Sequence, residues 1–253
     1  MSAAAQPAMD DMFSAQPDPD LEIFEDSKGR QYVRRSAITD VGLAYFRKPY
    51  PSEPITKHDV FYYVYGILHS PEYRERYANN LRKELPRIPR CRVASDFWHF
   101  SRAGRELGDL HVNYESVPMY TGCVIDAPDD LAPMDYRVQK MRFAKKKDPD
   151  TGKSINDRST VIYNDKITIR YIPAAAWEYS VESRPALAWV MERQGVRTDK
   201  ASGIVNDAND WAIETMGNPR YPLELFLRVV TISLETVRIV AALPALDLYE
   251  GAE

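Results

Sequence analysis

The 253-residue chain has few cysteines and no long hydrophobic run. Its two cysteines, Cys91 and Cys123, do not belong to a Cys-x-x-Cys pair, so a disulfide framework is excluded. The most apolar segment, residues 223–243, is interrupted by charged side chains and is not expected to span a membrane. The first residues carry neither a basic nor an apolar segment, which predicts no secretory signal and favours a cytoplasmic location.

Complete catalytic motifs are also lacking. The four histidines show no metal-ligand spacing, and no Gly-x-Ser-x-Gly nucleophile motif occurs. Residues 150–154 (DTGKS) resemble the end of a P-loop, but Lys147 stands where the first glycine is required, so the phosphate cradle cannot form. Residues 218–221 (NPRY) resemble an amino-methyltransferase motif in which Arg220 replaces the second proline. The start of a long helix is the favoured interpretation there.

One nuclease hypothesis depends on acids near the N-terminus. Asp18, Asp26 and Lys28 match a pattern of two acids and a lysine that can hold Mg²⁺ when a rigid strand presents it. Residues 1 to about 30 are instead rich in Ala, Pro and Asp, without an apolar period, and residues 1–35 are interpreted as a flexible tail or linker. The nuclease hypothesis is therefore disfavoured.

Positive charge is concentrated in two parts of a chain whose net charge is -4. Residues 137–170 hold ten Lys or Arg against four acids, a local charge of 10 - 4 = +6. Residues 72–105 hold nine basic groups against four acids, which gives 9 - 4 = +5. Because salt screens charges more than about 10 Å apart, such a zone can attract a polyanion despite the acidic remainder.

Hydrophobic periodicity indicates helices at both ends of the chain. Apolar residues recur at helical spacing from Thr56, and Ser70-Pro71-Glu72 is typical of a new helix start, with Tyr73, Tyr77 and Leu81 as its apolar stripe. A third helix is expected over residues 94–107. The last third predicts helices over residues 184–194, 207–216 and 222–242.

The middle of the chain has a strand period. Residues 138–143 (VQKMRF) alternate apolar and basic side chains as a half-buried strand does. Residues 159–173 predict a hairpin about Asn164 and Asp165, and the polar stretch 145–158 predicts a long loop at the tip of a strand pair. The fold class is α+β, with a helical N-terminal part, a small antiparallel β-sheet or hairpin region in the middle and a helical C-terminal part.

The basic hairpin region is the candidate DNA-binding site. Lysines suit phosphate contacts, while Arg and Asn pair bidentately with guanine and adenine in the major groove, which admits a β-ribbon. A solvated face with a lysine-rich tip is the alternative interpretation. The candidate residues are Lys140, Arg142, Lys145, Lys146, Lys147, Lys153, Asn156 and Arg158.

Several long segments resemble the C-terminal specificity domain of type ISP restriction-modification enzymes. They are residues 58–89 (HDVFYYVYGILHSPEYRERYANNLRKELPRIP), 104–115 (GRELGDLHVNYE), 138–143, 161–169 (VIYNDKITI) and 189–211 (WVMERQGVRTDKASGIVNDANDW). The similarity runs from about Thr39 to Leu246. It implies that residues 36–250 form a specificity, or target-recognition, domain that grips duplex DNA.

The resemblance also implies partners. In that family one polypeptide carries a nuclease, a helicase-like ATPase motor and an adenine-N6 methyltransferase before this domain. Those parts are not found here, so S-adenosylmethionine, ATP and Mg²⁺ are expected only with methyltransferase, helicase and nuclease domains acting in cis or trans. This chain is expected to have no cofactor, no catalytic residue and no activity alone. The alternative is a non-catalytic interaction or structural fragment of a larger restriction enzyme or helicase-like protein, without DNA binding of its own.

Overall fold

The computed structural model describes residues 22–249, which contain eight α-helices and ten short strands. The helices are α1 (Asp40–Arg47), α2 (Lys57–His69), α3 (Pro71–Arg76), α4 (Ala78–Leu81), α5 (Ala94–Val112), α6 (Ala186–Arg193), α7 (Ala208–Glu214) and α8 (Tyr221–Ala241). The strands are β1 (Glu22–Glu25), β2 (Gln31–Arg34), β3 (Val124–Asp126), β4 (Arg142–Lys147), β5 (Ser154–Ile162), β6 (Thr168–Arg170), β7 (Ser180–Val181), β8 (Arg184–Pro185), β9 (Val196–Thr198) and β10 (Val205–Asp207). The α+β prediction is confirmed.

The helix starts follow the sequence signals. Thr56 caps α2 through a capping box, since its hydroxyl accepts from the Asp59 backbone N–H and the Asp59 carboxylate accepts from the Thr56 N–H. Ser70 caps α3, with Pro71 in the first turn. The single helix expected after Ser70 is wrong: the chain turns at Tyr77 and forms α3 and α4.

The N-terminal helices enclose a first hydrophobic core. Helices α2 and α5 cross at close range, with Gly66 facing the α5 backbone and Gly104 facing the α2 backbone. Aromatic rings fill the space beside this crossing; Tyr63 stacks on Phe97 with ring centroids 4.8 Å apart. The buried members of this core are Phe46, Tyr50, Ile55, Val60, Tyr63, Ile67, Tyr73, Cys91, Phe97, Phe100, Leu246 and Leu248.

The end of the described chain returns to this first core. Leu246 and Leu248 are buried in it, and Leu248 forms an isolated antiparallel bridge with Cys91. The Arg92 N–H donates to the Asp247 carbonyl at 2.9 Å. Burial raises the pKa of the Cys91 thiol to about 11, so the thiol stays protonated at neutral pH.

A second core lies between the main sheet and the C-terminal helices. The sheet is antiparallel, in the order β3-β6-β5-β4, and its buried face includes Val161 and Ile169, which are paired across β5 and β6. Helices α6 and α8 pack on this core, and α8 also contacts α5 of the first core. Phe226 and Val230, one helical turn apart on α8, are both fully buried. Helix α8 therefore joins the two cores.

The prediction of one strand over residues 138–143 is wrong for its first four residues, because β4 begins only at Arg142. The backbone of Val138 is hydrogen-bonded by a side chain instead: its N–H donates to Asn209 Oδ1 (2.8 Å) and its carbonyl accepts from Asn209 Nδ2 (2.9 Å). The Gln139 carbonyl accepts from the Val196 N–H at 3.0 Å. The polar loop expected over residues 145–158 is also wrong, since strands occupy all of it except residues 148–153.

The described part of the predicted tail, residues 22–34, carries the β1–β2 hairpin, with Ile23 opposite Val33 and Phe24 opposite Tyr32. Residues 1–21 lie outside the described residues, so the boundaries 1–35 and 36–250 stay a prediction. Within residues 22–249, no helix combines the length and apolar character that a membrane crossing requires.

Candidate nucleic-acid interface

Strands β4 and β5 carry most of the predicted site residues. They pair antiparallel, with Lys145 opposite Asn156 and Lys147 opposite Ser154. The Lys145 ammonium donates to Asn156 Oδ1 at 2.7 Å, which places a cation and a carboxamide side by side on one face of the ribbon. Lys147 shares that face by strand alternation and is exposed near the tip.

The tip of this ribbon, residues 148–153, is a tightly bonded turn. Asp148 Oδ1 accepts from the Thr151 backbone N–H (2.8 Å), the Thr151 hydroxyl (2.8 Å) and the Asp150 N–H (3.1 Å). These hydrogen bonds, led by the Thr151 N–H, lower the pKa of Asp148. Gly152 has a φ of +66°, which glycine adopts without strain. The DTGKS segment is thus a strand-to-strand turn and not a P-loop.

A bulge positions Arg158. The register of β4 and β5 shifts between Phe143 and Ala144, and the bulged backbone of β5 is held by other elements. The Arg158 carbonyl accepts from the indole N–H of Trp177 at 3.0 Å, and the Ser159 carbonyl accepts from the Ile172 N–H at 3.0 Å. The backbone of Arg158 is anchored, while its side chain is exposed.

A groove of about 1020 Å³ runs along the edge of this ribbon. The structure brings four of the predicted site residues into it and leaves Lys146, Lys147, Lys153 and Arg158 outside its lining. The other wall comes from α6 and β9. The lining residues are Gln139, Lys140, Met141, Arg142, Phe143, Lys145, Asn156, Ile162, Arg184, Ala188, Met191, Glu192, Val196 and Arg197.

Sequence reasoning missed the second wall, which adds Arg184, Arg197 and Glu192. Glu192 pairs with both arginines, with Arg184 at close range and with Arg197 at 3.3 Å. The pKa of Glu192 is lowered, and the largest cause is the hydrogen bond from the Arg184 side chain. The groove therefore holds five cations and one carboxylate. The basic residues at 184 and 197 lie in a mixed-charge segment, so local charge counting could not single them out.

Ion pairs neutralise some of the cations in this region. Lys146 lies 3.5 Å from Asp157, and outside the predicted set Lys166 pairs with Asp135 at 2.6 Å. By contrast, six of the predicted cations have no acidic partner among residues 22–249: Lys140, Arg142, Lys145, Lys147, Lys153 and Arg158. The local excess of positive charge thus lies on the face and tip of the ribbon, where a polyanion could contact it.

The floor of the groove is held by buried contacts. A Cβ atom on Gly195 would lie 2.7 Å from the Gln139 carbonyl oxygen, so only glycine allows these segments to meet there. Asn209, which is 3% exposed, bonds the backbone of Val138 two residues before Lys140. Next to it, Arg137 pairs with Asp207 at 2.6 Å and with Asp210 at 2.7 Å. Residues from three parts of the chain therefore fix where Lys140 and Arg142 stand.

The second basic segment lies elsewhere. Residues of α3 and α4 do not contribute to the groove lining, and the Arg74 guanidinium donates to the Leu68 carbonyl at 2.6 Å. Arg76, Arg82 and Lys83 are exposed beside the first core. The structure does not bring this segment together with the β4–β5 ribbon in one groove.

Residues 22–249 present no candidate metal site. No group of three or more His, Cys, Asp or Glu side chains in this range is arranged to hold a metal ion. Asp26 of the nuclease hypothesis closes the β1–β2 turn, accepting from the backbone N–H groups of Lys28 and Arg30 at 2.9 Å each. Asp18 lies outside the described residues.

The comparisons with known proteins identify this domain. A basic groove on an α+β scaffold suits a module that binds a polyanion, and the matches define the class as the specificity domain of a restriction-modification enzyme. The chain belongs to the family described as the type ISP C-terminal specificity domain, whose model matches residues 10–225. Among curated proteins no match was found.

The solved structures similar to this chain include three protein–DNA complexes. One is a nuclease-deletion mutant of the type ISP restriction-modification enzyme LlaGI in complex with a DNA substrate mimic (41% identity, TM-score 0.63), over 78% of this chain and 14% of that chain. The ATP-dependent type ISP enzyme LlaBIII bound to DNA has 32% identity and a TM-score of 0.71, over 91% and 14%. The DrdV–DNA complex has 33% identity and a TM-score of 0.63, over 88% and 21%. This chain therefore spans about a seventh to a fifth of the proteins it matches.

Proposed function

We propose that this chain recognises a target sequence on duplex DNA through the groove and the β4–β5 ribbon. The observation that carries the proposal is the groove itself, in which five cations face one carboxylate along a ribbon whose tip adds further unpaired lysines. A surface with that charge favours a polyanion, and a two-stranded ribbon fits the major groove of B-DNA. Family membership and the DNA complexes of the relatives support the same proposal.

The residues divide into two roles. Lys145, Lys147 and Lys153 would contact phosphates, because they are exposed on the ribbon face or at its tip. Arg142 and Asn156 would reach base edges, because both line the groove and carry groups that pair bidentately with guanine and adenine. Lys146 would contribute less than its neighbours, since Asp157 already neutralises it.

The domain would act for a larger enzyme. Its matched relatives are several times longer, since the matched part of this chain covers only 14% to 21% of theirs, and we propose that it positions an adenine-N6 methyltransferase and a motor-nuclease present in cis or trans. S-adenosylmethionine, ATP and Mg²⁺ would serve those parts, and DNA binding by this chain would need none of them. The alternative, an interaction fragment without DNA affinity, draws on the β1–β2 hairpin, whose Ile23 and Val33 are 69% and 56% exposed.

The test is selection from a random duplex library at about physiological salt, followed by anisotropy titration of the enriched duplexes. An enriched asymmetric motif, bound by the chain alone and without added cofactors, supports target recognition. Binding that vanishes with salt and shows no enrichment would reduce the role to electrostatic contact. No salt-dependent binding at all would refute the proposal and favour the interaction fragment.

A further inference from the structure

The second wall of the groove belongs to a hairpin of its own. Strands β9 and β10 pair antiparallel, with Arg197 opposite Asn206 and Thr198 opposite Val205. Val196 and Arg197 line the same groove as β4 and β5. The two hairpins thus border one groove, although the 33 residues 163–195 separate them along the chain.

The two hairpins end in tips that are built alike. In the second tip, residues 199–204, Asp199 Oδ1 accepts from the Ser202 backbone N–H (2.8 Å), the Ser202 hydroxyl (2.9 Å) and the Ala201 N–H (3.1 Å). Asp148 makes the same three bonds to Thr151 and Asp150 in the first tip. Each tip is therefore a six-residue turn closed by an aspartate and a hydroxyl residue three positions later.

The two tips also have matching backbone hydrogen bonds and φ angles. The Gly152 N–H donates to the Asp148 carbonyl and the Gly203 N–H to the Asp199 carbonyl, both at 2.9 Å. The two glycines have φ values of +66° and +71°. In each tip the aspartate N–H donates to the carbonyl of the last tip residue, Lys153 or Ile204, at 2.8 Å. These bonds satisfy each turn internally, and the two tips share one hydrogen-bonding pattern.

The side chains of the two hairpins have the same recognition chemistry. Lys145 lies opposite Asn156 on the first hairpin, and Arg197 lies opposite Asn206 on the second. A cation beside a carboxamide provides donors for phosphate or guanine together with a donor-acceptor pair for adenine. Neither local charge nor the β-strand pattern of the sequence links the two hairpins; the fold brings Lys145, Asn156 and Arg197 into one groove lining, and Asn206 lies outside that lining on the paired strand.

Arg197 is the less tightly held of the two wall arginines. Its side chain is 54% exposed and is bound to Glu192 through one contact of 3.3 Å. Arg184 is more tightly held, because it pairs with Glu192, donates to the Ala188 carbonyl at 2.9 Å and stacks on Trp189 at 4.7 Å. At the tip, Lys200 is exposed and has no acidic partner among the described residues.

We infer that the β9–β10 hairpin is a second DNA-contacting arm, in which Arg197 and Lys200 bind backbone phosphates of the duplex whose bases face the β4–β5 ribbon. This inference rests on the proposed function, since it assigns a second contact to the same groove. Glu192 holds Arg197 against the wall in the free protein, and a phosphate would displace this weak pair. The two tips would then fix the position of the duplex from two points.

The experiment uses the full 253-residue chain and a fluorescein-labelled duplex of mixed sequence, roughly 30 bp long, titrated by anisotropy over a series of salt concentrations. The double variant Arg197→Ala/Lys200→Ala is compared with wild type and with Arg102→Ala/Lys48→Ala, which removes the same charge from exposed sites beside the first core. If both residues contact phosphates, the negative slope of log K against log salt should become shallower by about 1.8 in the hairpin variant. The control variant should keep the wild-type slope.

Footprinting gives the second measurement. Hydroxyl-radical cleavage of the duplex should show that the Arg197→Ala/Lys200→Ala variant no longer protects one backbone segment and keeps the segment protected by the β4–β5 lysines. An unchanged slope and footprint, while Lys145→Ala/Lys147→Ala weakens binding, would overturn the second arm alone. Absence of salt-dependent binding by wild type would overturn the proposed function and the second arm together.

Discussion

Gly66 and Gly104 lie at the crossing of α2 and α5, where each faces the backbone of the other helix. A Cβ atom on Gly104 would lie 1.8 Å from the carbonyl oxygen of Tyr62, and one on Gly66 would lie 2.1 Å from that of Phe100. Because backbone atoms cannot rotate away as a side chain can, the helices would have to separate. The first core depends on this close approach.

The Gly104→Ala variant should therefore be less stable than wild type, by about 1–3 kcal/mol or more in free energy of unfolding, since overpacking forces the backbone to shift. Gly108→Ala on the same helix is the matched control, because its Cβ would meet only the Tyr62 ring edge, at 3.1 Å. Both changes gain helix propensity of about 1 kcal/mol. Urea unfolding measures the difference, and equal stability of the two variants would contradict a close backbone crossing at Gly104.

Removal of the Asn209 carboxamide should destabilise the groove floor. In Asn209→Ala the buried N–H and carbonyl of Val138 are left without their partners, and each unsatisfied group costs about 1–3 kcal/mol. Thermal unfolding should show a clear decrease in Tm. The exposed Asn206→Ala is the control and should leave Tm nearly unchanged. A similar Tm for both variants would show that the floor is held by other contacts.

The lysines of β4 should contribute unequally to DNA affinity. Replacing Lys145, Lys146 and Lys147 together by alanine should weaken binding to every sequence and reduce the salt slope by about 0.9 for each phosphate that is no longer neutralised. Lys146→Ala alone should have little effect because Asp157 lies 3.5 Å from its ammonium. Anisotropy titrations over a salt series measure this. A triple variant with the wild-type slope would remove these lysines from the interface.

Arg142 and Arg158 should differ in their effect on specificity. Arg142 lines the groove, so Arg142→Ala should relax discrimination at one base pair by roughly 1–3 kcal/mol if the contact is bidentate. Arg158 projects from the bulge outside that lining, and Arg158→Ala should weaken binding without changing sequence preference. Competition titrations with single-base variants of the selected site distinguish the two. The reverse result would place the bulge in the DNA groove.

Stability should decrease in mildly acidic solution because of a half-buried histidine. His111 lies between the Tyr65 hydroxyl (2.8 Å from Nδ1) and the Thr236 hydroxyl (2.9 Å from Nε2), and burial lowers its pKa to about 4. His69, whose ring centre is 5.6 Å away, also has a lowered pKa through burial. Since the unfolded chain binds these protons near pH 6.5, stability is full above that pH and is lost as the pH falls toward 4.

For His111 alone, the free energy of unfolding should decrease by roughly 2 kcal/mol between about pH 7.5 and pH 5. The aspartates with lowered pKa values, such as Asp148 and Asp199, change protonation only below about pH 4. They therefore do not contribute to the decrease between pH 7.5 and pH 5. Urea unfolding at both pH values gives the decrease. His111→Gln should show a smaller one, and a variant as pH-sensitive as wild type would assign the effect to other groups.

The sequence predicted the elements whose signals are local. The helix from Thr56, the Ser70 cap, helix α5 and the strands around Asn164 follow from spacing within a few residues. The segment 138–141 did not, because its hydrogen bonds go to Asn209 and Val196, and Asn209 is 71 residues away from Val138. For the same reason the second wall of the groove could not be predicted from the sequence. Arg184 and Arg197 join Lys140 and Arg142 only when α6 packs on the second core.

The return of residues 246–248 to the first core affects the order of events during synthesis. Asp247 bonds Arg92 across a separation of 155 residues, and the Leu246 N–H donates to Glu72 across 174. Helices α1 to α5 therefore leave the ribosome long before the segment that pairs with Cys91 has been made. Pairings this distant along a chain form slowly, since the loop between them must first close. The first core is therefore complete only after residues 246–248 have been synthesised.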